Sequence, residues 1–288
     1  GQNFPRDTEE LPFRRLFRGT WDRVLSADFS QLELRIAAFL SRDPTLLAVY
    51  QDAGDIHSTT GEAIWGKPAS RITENERVVS KVTNFTCLYD PFPSATAALV
   101  LQCRAAGIDL PWDKGQRIVE TFRSTYPRWF MGFIPACMRK TYDQGWVRAK
   151  TGRVRRIPCQ FKGGNYEDSL KDPTNWDVFR SVINSMDQGL GGDLVKFVGT
   201  CIDKEFIRRD FKSRIMLNVH DEIVIDTYPE EEEAVVRIVY QYAEHPPTRA
   251  VFGWDITEVV PLQVDIGAGE TWSAAKKKEN KLRRLDGR

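Results

Sequence analysis

The sequence lacks long apolar runs, because no stretch of consecutive apolar residues is longer than five, as at residues 46–50. A helix that crosses a membrane needs about 20 such residues, so a membrane-spanning segment is excluded. The first ten residues are polar, without the apolar stretch of a signal peptide, and the first of them is not methionine. We therefore expect a trimmed, processed or excised chain.

Histidine and cysteine are also scarce. The three histidines make a multi-histidine metal site improbable, and the five cysteines include no pair in CxxC spacing. Neither a zinc site nor a disulfide framework is therefore indicated. We expect reduced thiols in a cytoplasmic protein.

No single sign of charge dominates the sequence, since 41 Lys and Arg residues face 40 Asp and Glu residues. The net charge of +1 neither requires nor excludes a polyanionic partner, because the distribution of charge decides this. Residues 276–288 carry seven basic and two acidic residues. This basic tail is expected either to grip DNA or to act as a disordered, solubilising segment.

Periodicity predicts an α+β protein built around an antiparallel sheet, because helices and strands are mixed along the chain without a regular βαβ order. A buried strand is expected at residues 24–29, and a polar tip at residues 220–222 between alternating apolar residues predicts a β-hairpin. The other expected elements are helices at 31–41, 74–89, 113–145 with breaks at Pro127 and Pro135, 177–210 with an interruption at Gly191 and Gly192, and 231–244, and a closing strand at 259–266.

Two groups of acids mark a possible phosphoryl-transfer site. Asp28 lies at the strand-to-helix junction DFSQLELR, and Asp221 and Glu222 lie at the tip of the hairpin. Carboxylates on rigid strand ends can hold two divalent cations that bridge the attacking and leaving oxygens, and such hard oxygen ligands suit Mg²⁺. The alternative is a set of ordinary surface acids, since Asp28 and Asp221 are 193 positions apart.

Two helical ladders could contact nucleotides or nucleic acid. Residues four apart lie along one slowly drifting helix face, and the first ladder consists of Arg77, Lys81, Phe85 and Tyr89. Two cations followed by two aromatic rings could bind a triphosphate and stack on a base. The second ladder, Arg180, Asn184 and Gln188, could donate to minor-groove acceptors. The alternative for the first ladder is a solvated basic end of a helix that leads into a buried aromatic end. The alternative for the second ladder is a plain helix surface.

In this order, the segments resemble the family A (DNA polymerase I-like) polymerases. DFSQLELR is similar to the first palm motif of the family, RVVSKVTNFTCLY to its fingers helix and VHDE to its second palm motif. The resemblance implies a right-hand polymerase with an antiparallel palm sheet and helical fingers. It assigns residues 1–50 to the first part of the palm, 51–175 to the fingers (with the nucleotide-binding helix at about 74–90), 176–275 to the second part of the palm and 276–288 to a basic tail.

The resemblance also implies a role for each matching residue. Two Mg²⁺ ions, for which Mn²⁺ could substitute, would be held by Asp28, Asp221 and the carbonyl of Phe29, with Glu222 in support. Lys81 would be the general acid, and the other residues that contact the nucleotide would be Gln31, Glu33 as steric gate, His57, Arg77, Phe85 and Tyr89. The residues lining the DNA minor groove would be Arg180, Asn184, Gln188 and His220.

The implied function is template-directed addition of dNTPs to a primer 3′-hydroxyl by two-metal-ion catalysis. The expected partners are primer–template DNA and dNTPs, with no membrane. Nothing matches a thumb or an exonuclease domain, so a truncated or split enzyme is expected, and a second chain could supply these parts. The alternatives are a weakly active or non-catalytic primer–template-binding subunit, an RNA polymerase, which Glu33 disfavours, and a His–Asp phosphohydrolase.

Overall fold

The computed structural model describes residues 11–52, 54–157 and 161–282. The polar first ten residues and the end of the basic tail lie outside these residues. The chain divides into two compact units. The first, here called the sheet unit, comprises the described parts of Gly1–Leu32 and Gly191–Arg288, and the second, the helical unit, comprises the described parts of Glu33–Leu190.

The described ranges contain both helices and strands. The strands are β1 (Val24–Phe29), β2 (Trp146–Arg148), β3 (Val154–Arg156), β4 (Arg214–Val219), β5 (Glu222–Asp226) and β6 (Val264–Gly269). The α-helices are α1 (Leu32–Ser41), α2 (Pro44–Gln51), α3 (Ile56–Trp65), α4 (Glu74–Cys87), α5 (Ser94–Ala105), α6 (Trp112–Thr125), α7 (Ile134–Gln144), α8 (Tyr166–Lys171), α9 (Trp176–Met186), α10 (Gln188–Arg208), α11 (Glu232–Glu244), α12 (Thr248–Phe252) and α13 (Trp272–Ala275).

A four-stranded antiparallel sheet in the order β4-β5-β1-β6 forms the centre of the sheet unit. The apolar residues of the central strand β1 are fully or almost fully buried, as expected for a strand with neighbours on both sides. Both the predicted strand at residues 24–29 and the predicted hairpin of β4 and β5 are confirmed. Together with the helices around this sheet, they confirm the α+β fold class.

The closing strand begins later than the pattern predicts, because β6 starts at Val264 rather than at residue 259. The preceding apolar residues instead form a turn, in which Val260 N donates to Ile256 O at 2.9 Å. Pro261 follows this turn and has no N–H to contribute to a strand ladder. Burial of Ile256 and Val260 explains the apolar pattern without a strand.

Two predicted helix interruptions lie elsewhere in the structure. The long helix at 177–210 breaks at Asp187, between α9 and α10, and continues through Gly191 and Gly192. Pro135 does not break its helix, because a π-helical turn, Arg128–Phe133, precedes it and Pro135 occupies the first turn of α7. Proline is tolerated there because the N–H it lacks has no intrahelical partner in a first turn.

The main helix of the helical unit is α4. Thr73 and Glu76 form a reciprocal capping box at its start, which explains why the helix begins at Glu74. It ends at Cys87, two residues before the predicted end at Tyr89. In the same unit, β3 pairs with β2 in a separate two-stranded sheet.

A C-terminal segment, residues 271–282, packs along β6 and is here called the strap. Trp272 N donates to Phe17 O at 2.9 Å, and Leu282 N donates to Ile266 O at 2.8 Å. The close approach requires glycine in β6, since a Cβ on Gly267 would lie 2.0 Å from Ala275 O. The first seven residues of the expected basic tail therefore belong to a packed segment.

Replacing Gly267 with alanine is expected to lower the free energy of unfolding by about 2 kcal/mol or more, because the added methyl group would force the strap away from the sheet. Chemical denaturation would measure this change. Gly192→Ala is a matched control, because a Cβ there meets no atom within 4 Å and alanine favours the helix. Equal stability of the two variants would contradict the close packing of the strap.

In the described ranges, no helix combines the length and the apolarity that a bilayer span requires.

Candidate functional site

Three carboxylates lie side by side on one face of the central sheet and are here called the acid row. Asp28 of β1 pairs directly with Glu222 of β5 on one side and with Asp265 of β6 on the other. Directly paired residues of antiparallel strands point to the same face. Asp265 was not predicted from the sequence, where its only signal is an acid between two buried apolar residues of a strand.

Glu222 is held in place by two neutral donors. Ser26 Oγ and Trp272 Nε1 each donate to Glu222 Oε1 at 2.5 Å. The side chain is nearly buried, and such donors satisfy one carboxylate oxygen without neutralising the charge. Its second oxygen is left to bind a cation.

Lys276 supplies a positive charge to the acid row. Its Nζ donates to Asp28 Oδ2 at 2.9 Å and to Glu222 Oε2 at 2.8 Å. Burial raises the pKa of Asp28, Lys276 opposes this shift, and the carboxylates of Glu222 and Asp265 add to it. Burial disfavours the charged form of Lys276, but the two carboxylates outweigh burial and raise its pKa.

The hairpin turn brings Asp221 beside the end of β1. Phe29 N donates to Asp221 O at 2.9 Å, and the two-residue turn consists of His220 and Asp221. His220 has a φ of +54°, and Gln31, at the strand-to-helix junction, has a φ of +55°. Both are sharp reversals in the left-handed region. Asp28, Phe29, Asp221 and Glu222 thus lie together in the sheet unit, although the spacing of these residues in the sequence does not show it.

The donor set of this site suits a hard divalent cation. Asp28 and Glu222 already converge on one cationic nitrogen, so the Lys276 ammonium marks a position where positive charge is bound by two carboxylate oxygens. Among the described residues, no three His, Cys, Asp or Glu side chains are grouped closely enough to hold a metal without rearrangement. The acids fit a metal, provided that Lys276 moves.

Helix α4 presents a cationic and aromatic face in the helical unit. Arg77, Lys81 and Phe85 are exposed and four residues apart on this helix. Arg77 is fixed by Asp55, whose Oδ2 lies 2.8 Å from Nη2, and by Ser58 Oγ, 3.0 Å from Nη1. Lys81 has no acidic partner within ion-pair distance among the described residues, so its charge is available to an anion.

His57 adds a neutral ring to this face. Its Nδ1 accepts a hydrogen bond from Asn84 Nδ2 at 2.9 Å, so its Nε2 carries the hydrogen. Its ring centroid lies 5.7 Å from that of Phe85. Asn84 was not predicted; it is buried within α4 and also donates to Ser80 O. The resulting cluster of Arg77, Lys81, His57 and Phe85 is here called the cationic face.

We expect the His57 pKa to lie below the usual value of 6.5, mainly because burial disfavours the charged ring. The negative charge of Asp55 raises the pKa, but the positive charges of Lys81 and Arg77 lower it again. A depressed pKa favours the neutral ring in the folded state, so this contribution to stability is lost as pH falls through the folded-state pKa. An NMR titration of the three histidines measures the His57 pKa, and the variant His57→Gln assigns its signal.

In Asn84→Ala the His57 pKa should rise toward its usual value, because the neutral ring loses its donor. A wild-type midpoint above 6.5 would contradict this description of the ring.

Tyr89 does not continue the face of α4, which corrects the predicted four-residue stripe. It lies beyond the end of the helix and is buried, whereas Phe85 is 48% exposed. Burial, together with the negative charges of Asp187 and Glu33, raises the pKa of Tyr89 well above its usual value. The structure therefore brings Tyr89 close to Glu33, the predicted steric gate.

The predicted ladder of Arg180, Asn184 and Gln188 spans two helices, since the chain breaks at Asp187. Gln188 is exposed, and Asn184 is half-buried with an Oδ1 that accepts no hydrogen bond from the described residues. Arg180 Nη1 donates to Asp90 Oδ2 at 3.0 Å, and its Nη2 donates to Asp177.

Asp90, the residue after Tyr89, is held inside the helical unit by three hydrogen-bond donors. Its Oδ1 accepts a hydrogen bond from Phe92 N at 2.9 Å, and its Oδ2 accepts one from Ser94 Oγ at 2.7 Å and one from Arg180. Asp90 is only 6% exposed, and its carboxylate forms an internal ion pair with the Arg180 guanidinium.

The model of DNA polymerase family A matches residues 2–274. The chain belongs to DNA polymerase family A. Among curated family A proteins, DNA polymerase I of Lactococcus lactis subsp. lactis is 32% identical over 278 residues, which are 96% of this chain and 29% of that protein. The thermostable DNA polymerase I of Thermus aquaticus is 29% identical over 258 residues, which cover 88% of this chain and 27% of the Thermus aquaticus protein.

A solved structure shares the family A fold. The POL domain of Pol1 from M. smegmatis, in complex with DNA primer-template and dNTP, matches with a TM-score of 0.74 and 23% identity over 96% of this chain and 45% of that chain. The chain therefore has the fold of a family A polymerase domain, and it spans less than a third of the length of these curated relatives.

Proposed function

We propose that this chain is a template-directed DNA polymerase that adds dNTPs to a primer 3′-hydroxyl. The observation that carries the proposal is the convergence of Asp28 and Glu222 on one cation at the end of β1, beside Asp221, in a chain of DNA polymerase family A. The sheet unit would be the palm and the helical unit would include the fingers. Domain limits and residue roles remain predictions.

Asp28, Asp221 and the Phe29 carbonyl would hold two divalent ions, Mg²⁺ or in its place Mn²⁺, with Glu222 in support. When bound, the ions supply positive charge to the attacking and leaving oxygens. Ser26 and Trp272 keep Glu222 oriented. The rigid central strands keep the carboxylates from relaxing away from one another, which preorganises the site before the charge of the reaction develops.

The cationic face would bind the triphosphate of the incoming dNTP. Lys81 and Arg77 would contact phosphate oxygens, and the Nε2–H of the neutral His57 would donate to an outer phosphate. Lys81 would also protonate the departing pyrophosphate, since its side chain is exposed on this face and has no acidic partner among the described residues. Phe85 offers an exposed ring for stacking on the nucleotide.

Selectivity and DNA binding would involve the remaining predicted residues. Glu33, beside the buried Tyr89, would exclude a ribose 2′-hydroxyl, and Gln31 would contribute to the nucleotide site. The residues proposed to contact the minor groove of the primer–template are Arg180, Asn184, Gln188 and His220. Arg180 would have to exchange Asp90 and Asp177 for DNA acceptors.

Primer extension tests the proposal directly. On a recessed DNA duplex with Mg²⁺ and dNTPs, the wild-type chain should extend the primer, and Asp221→Ala should not. Extension that survives Asp221→Ala would contradict the assignment of the hairpin acids. Absence of extension by the wild type, with primer–template binding retained, would favour a binding subunit that depends on a second chain for activity.

A further inference from the structure

Lys276 lies on Asp28, which the proposed function assigns to divalent cations, and on Glu222, which would support them. Its Nζ is 2.9 Å from Asp28 Oδ2 and 2.8 Å from Glu222 Oε2. Glu222 has only 5% of its side chain exposed, and Lys276 has 27%. The two carboxylates therefore share one ammonium in a largely desolvated place, where charge interactions are strong.

The position of Lys276 is built by the strap and is not that of a freely moving tail. Trp272 is fully buried, and its indole N–H donates to the same Glu222 whose other oxygen binds Lys276. Thr271 Oγ1 caps the short helix α13 by accepting from Ala274 N. Gly267 lets the strap approach β6 closely enough for Lys276 to reach Asp28.

A divalent cation and the Lys276 ammonium would compete for the same oxygens. Asp28 and Glu222 are paired across β1 and β5, so their negative charges repel each other unless a cation lies between them. Lys276 supplies a single positive charge, whereas a bound metal supplies two. The two cations would repel each other strongly at a shared carboxylate pair, so both do not fit there at once.

We propose that Lys276 is the resident counter-cation of the acid row, and that a divalent ion enters only as the ammonium withdraws. This inference rests on the metal site in the proposed function and adds regulation of that site. Lys276 keeps the two carboxylates oriented while the metal is absent. It also lowers the affinity for metal, because its displacement opposes every binding event.

Binding of Mn²⁺ alone to the whole chain tests the inference, with free Mn²⁺ measured by electron paramagnetic resonance. Lys276→Met should bind Mn²⁺ about tenfold more tightly than the wild type, because no ammonium has to be displaced. Lys277→Met is the matched control, since the side chain of the neighbouring Lys277 has, within the described residues, no acidic partner except Glu279, at 4.0 Å. Its affinity should equal that of the wild type. Equal or weaker binding by Lys276→Met would overturn the inference.

A second measurement needs no variant and therefore decides the matter even if Lys276→Met fails to fold. Acylation of lysines in the wild-type chain, read by mass spectrometry, should label Lys276 several-fold faster when Mn²⁺ is added. Labelling of Lys277 should not change. If Mn²⁺ leaves the labelling of Lys276 unchanged, the ammonium is not displaced and the inference is wrong.

The outcomes separate this inference from the proposed function. If primer extension fails while Mn²⁺ still releases Lys276, the polymerase proposal falls and the counter-cation role stands. If extension proceeds and Lys276 does not respond to Mn²⁺, only the counter-cation role falls. If the wild type binds no Mn²⁺, or binds it as well after Asp28→Asn, the metal site falls and this inference falls with it.

Discussion

Replacing Asp28 with asparagine is expected to lower the rate of primer extension by roughly a thousandfold or more. Asparagine keeps the size of the side chain but removes the negative charge for which the metal and Lys276 would compete. The remaining Glu222 would still bind Lys276, so the ammonium would stay in place while metal affinity falls. Single-turnover extension at saturating dNTP and Mg²⁺ measures the effect.

Asp265→Asn is the matched control for this substitution. Asp265 lies on the same face and pairs directly with Asp28, but its carboxylate binds Lys281, at 2.8 Å, in an exposed ion pair. Asp265 is not among the proposed metal ligands, and the loss of an exposed ion pair of this kind changes the structure little, so the rate should fall by less than about fivefold. An equal loss of extension rate in the two variants would mean that the total negative charge of the acid row matters, and that Asp28 is not a specific metal ligand.

Replacing Lys81 with alanine is expected to lower the maximal rate of incorporation by about a hundredfold to a thousandfold. The loss should appear in the rate constant of chemistry, because the proposed proton donor and a phosphate contact are removed together. Stability should hardly change, since Lys81 is exposed and forms no ion pair among the described residues. Rapid-quench kinetics and thermal unfolding measure the two quantities.

Arg77→Ala separates binding from chemistry on the same helix. Arg77 is held by Asp55 and Ser58 and is not the proposed proton donor. The loss of the Arg77 side chain should therefore mainly weaken dNTP binding. We expect the apparent Kd for dNTP to rise more than the maximal rate falls. If Lys81→Ala changes only the Kd as well, Lys81 binds phosphate but is not the general acid.

The sequence predicted the parts of the site that depend on local periodicity. The strand before Asp28, the hairpin that carries Asp221 and Glu222, and the face shared by Arg77, Lys81 and Phe85 all follow from alternation or helical spacing. Such patterns reflect which residues one element buries, and the structure agrees with them. The family resemblance covered nearly the same residues as the matching family model.

The features that sequence reasoning missed depend on contacts between distant residues. Lys276 counts only as tail charge in the sequence, because its place on Asp28 arises from the fit of the strap against Gly267. Asp90 reads as an added charge until Arg180, 90 positions away, is seen to neutralise it. No local pattern reports either pairing.

The break at Asp187 had no sequence signal for a similar reason. Glycines are the residues usually expected to interrupt a helix, yet α10 passes through four of them, Gly191 and Gly192 included. Asp187 is fully buried, neither of its oxygens has a hydrogen-bond partner among the described residues, and burial raises its pKa well above the usual value. Tertiary packing, and not propensity, sets this boundary.

The strap also covers part of one edge of the sheet. In the order β4-β5-β1-β6, the strand β6 is an edge, and an open edge offers unpaired backbone groups to strands of other molecules. The bridge between Gly267 and Lys281, and the hydrogen bond from Leu282 N to Ile266 O, occupy some of these backbone groups. The same segment that carries Lys276 to the acids therefore leaves fewer backbone groups on β6 for a strand of another molecule.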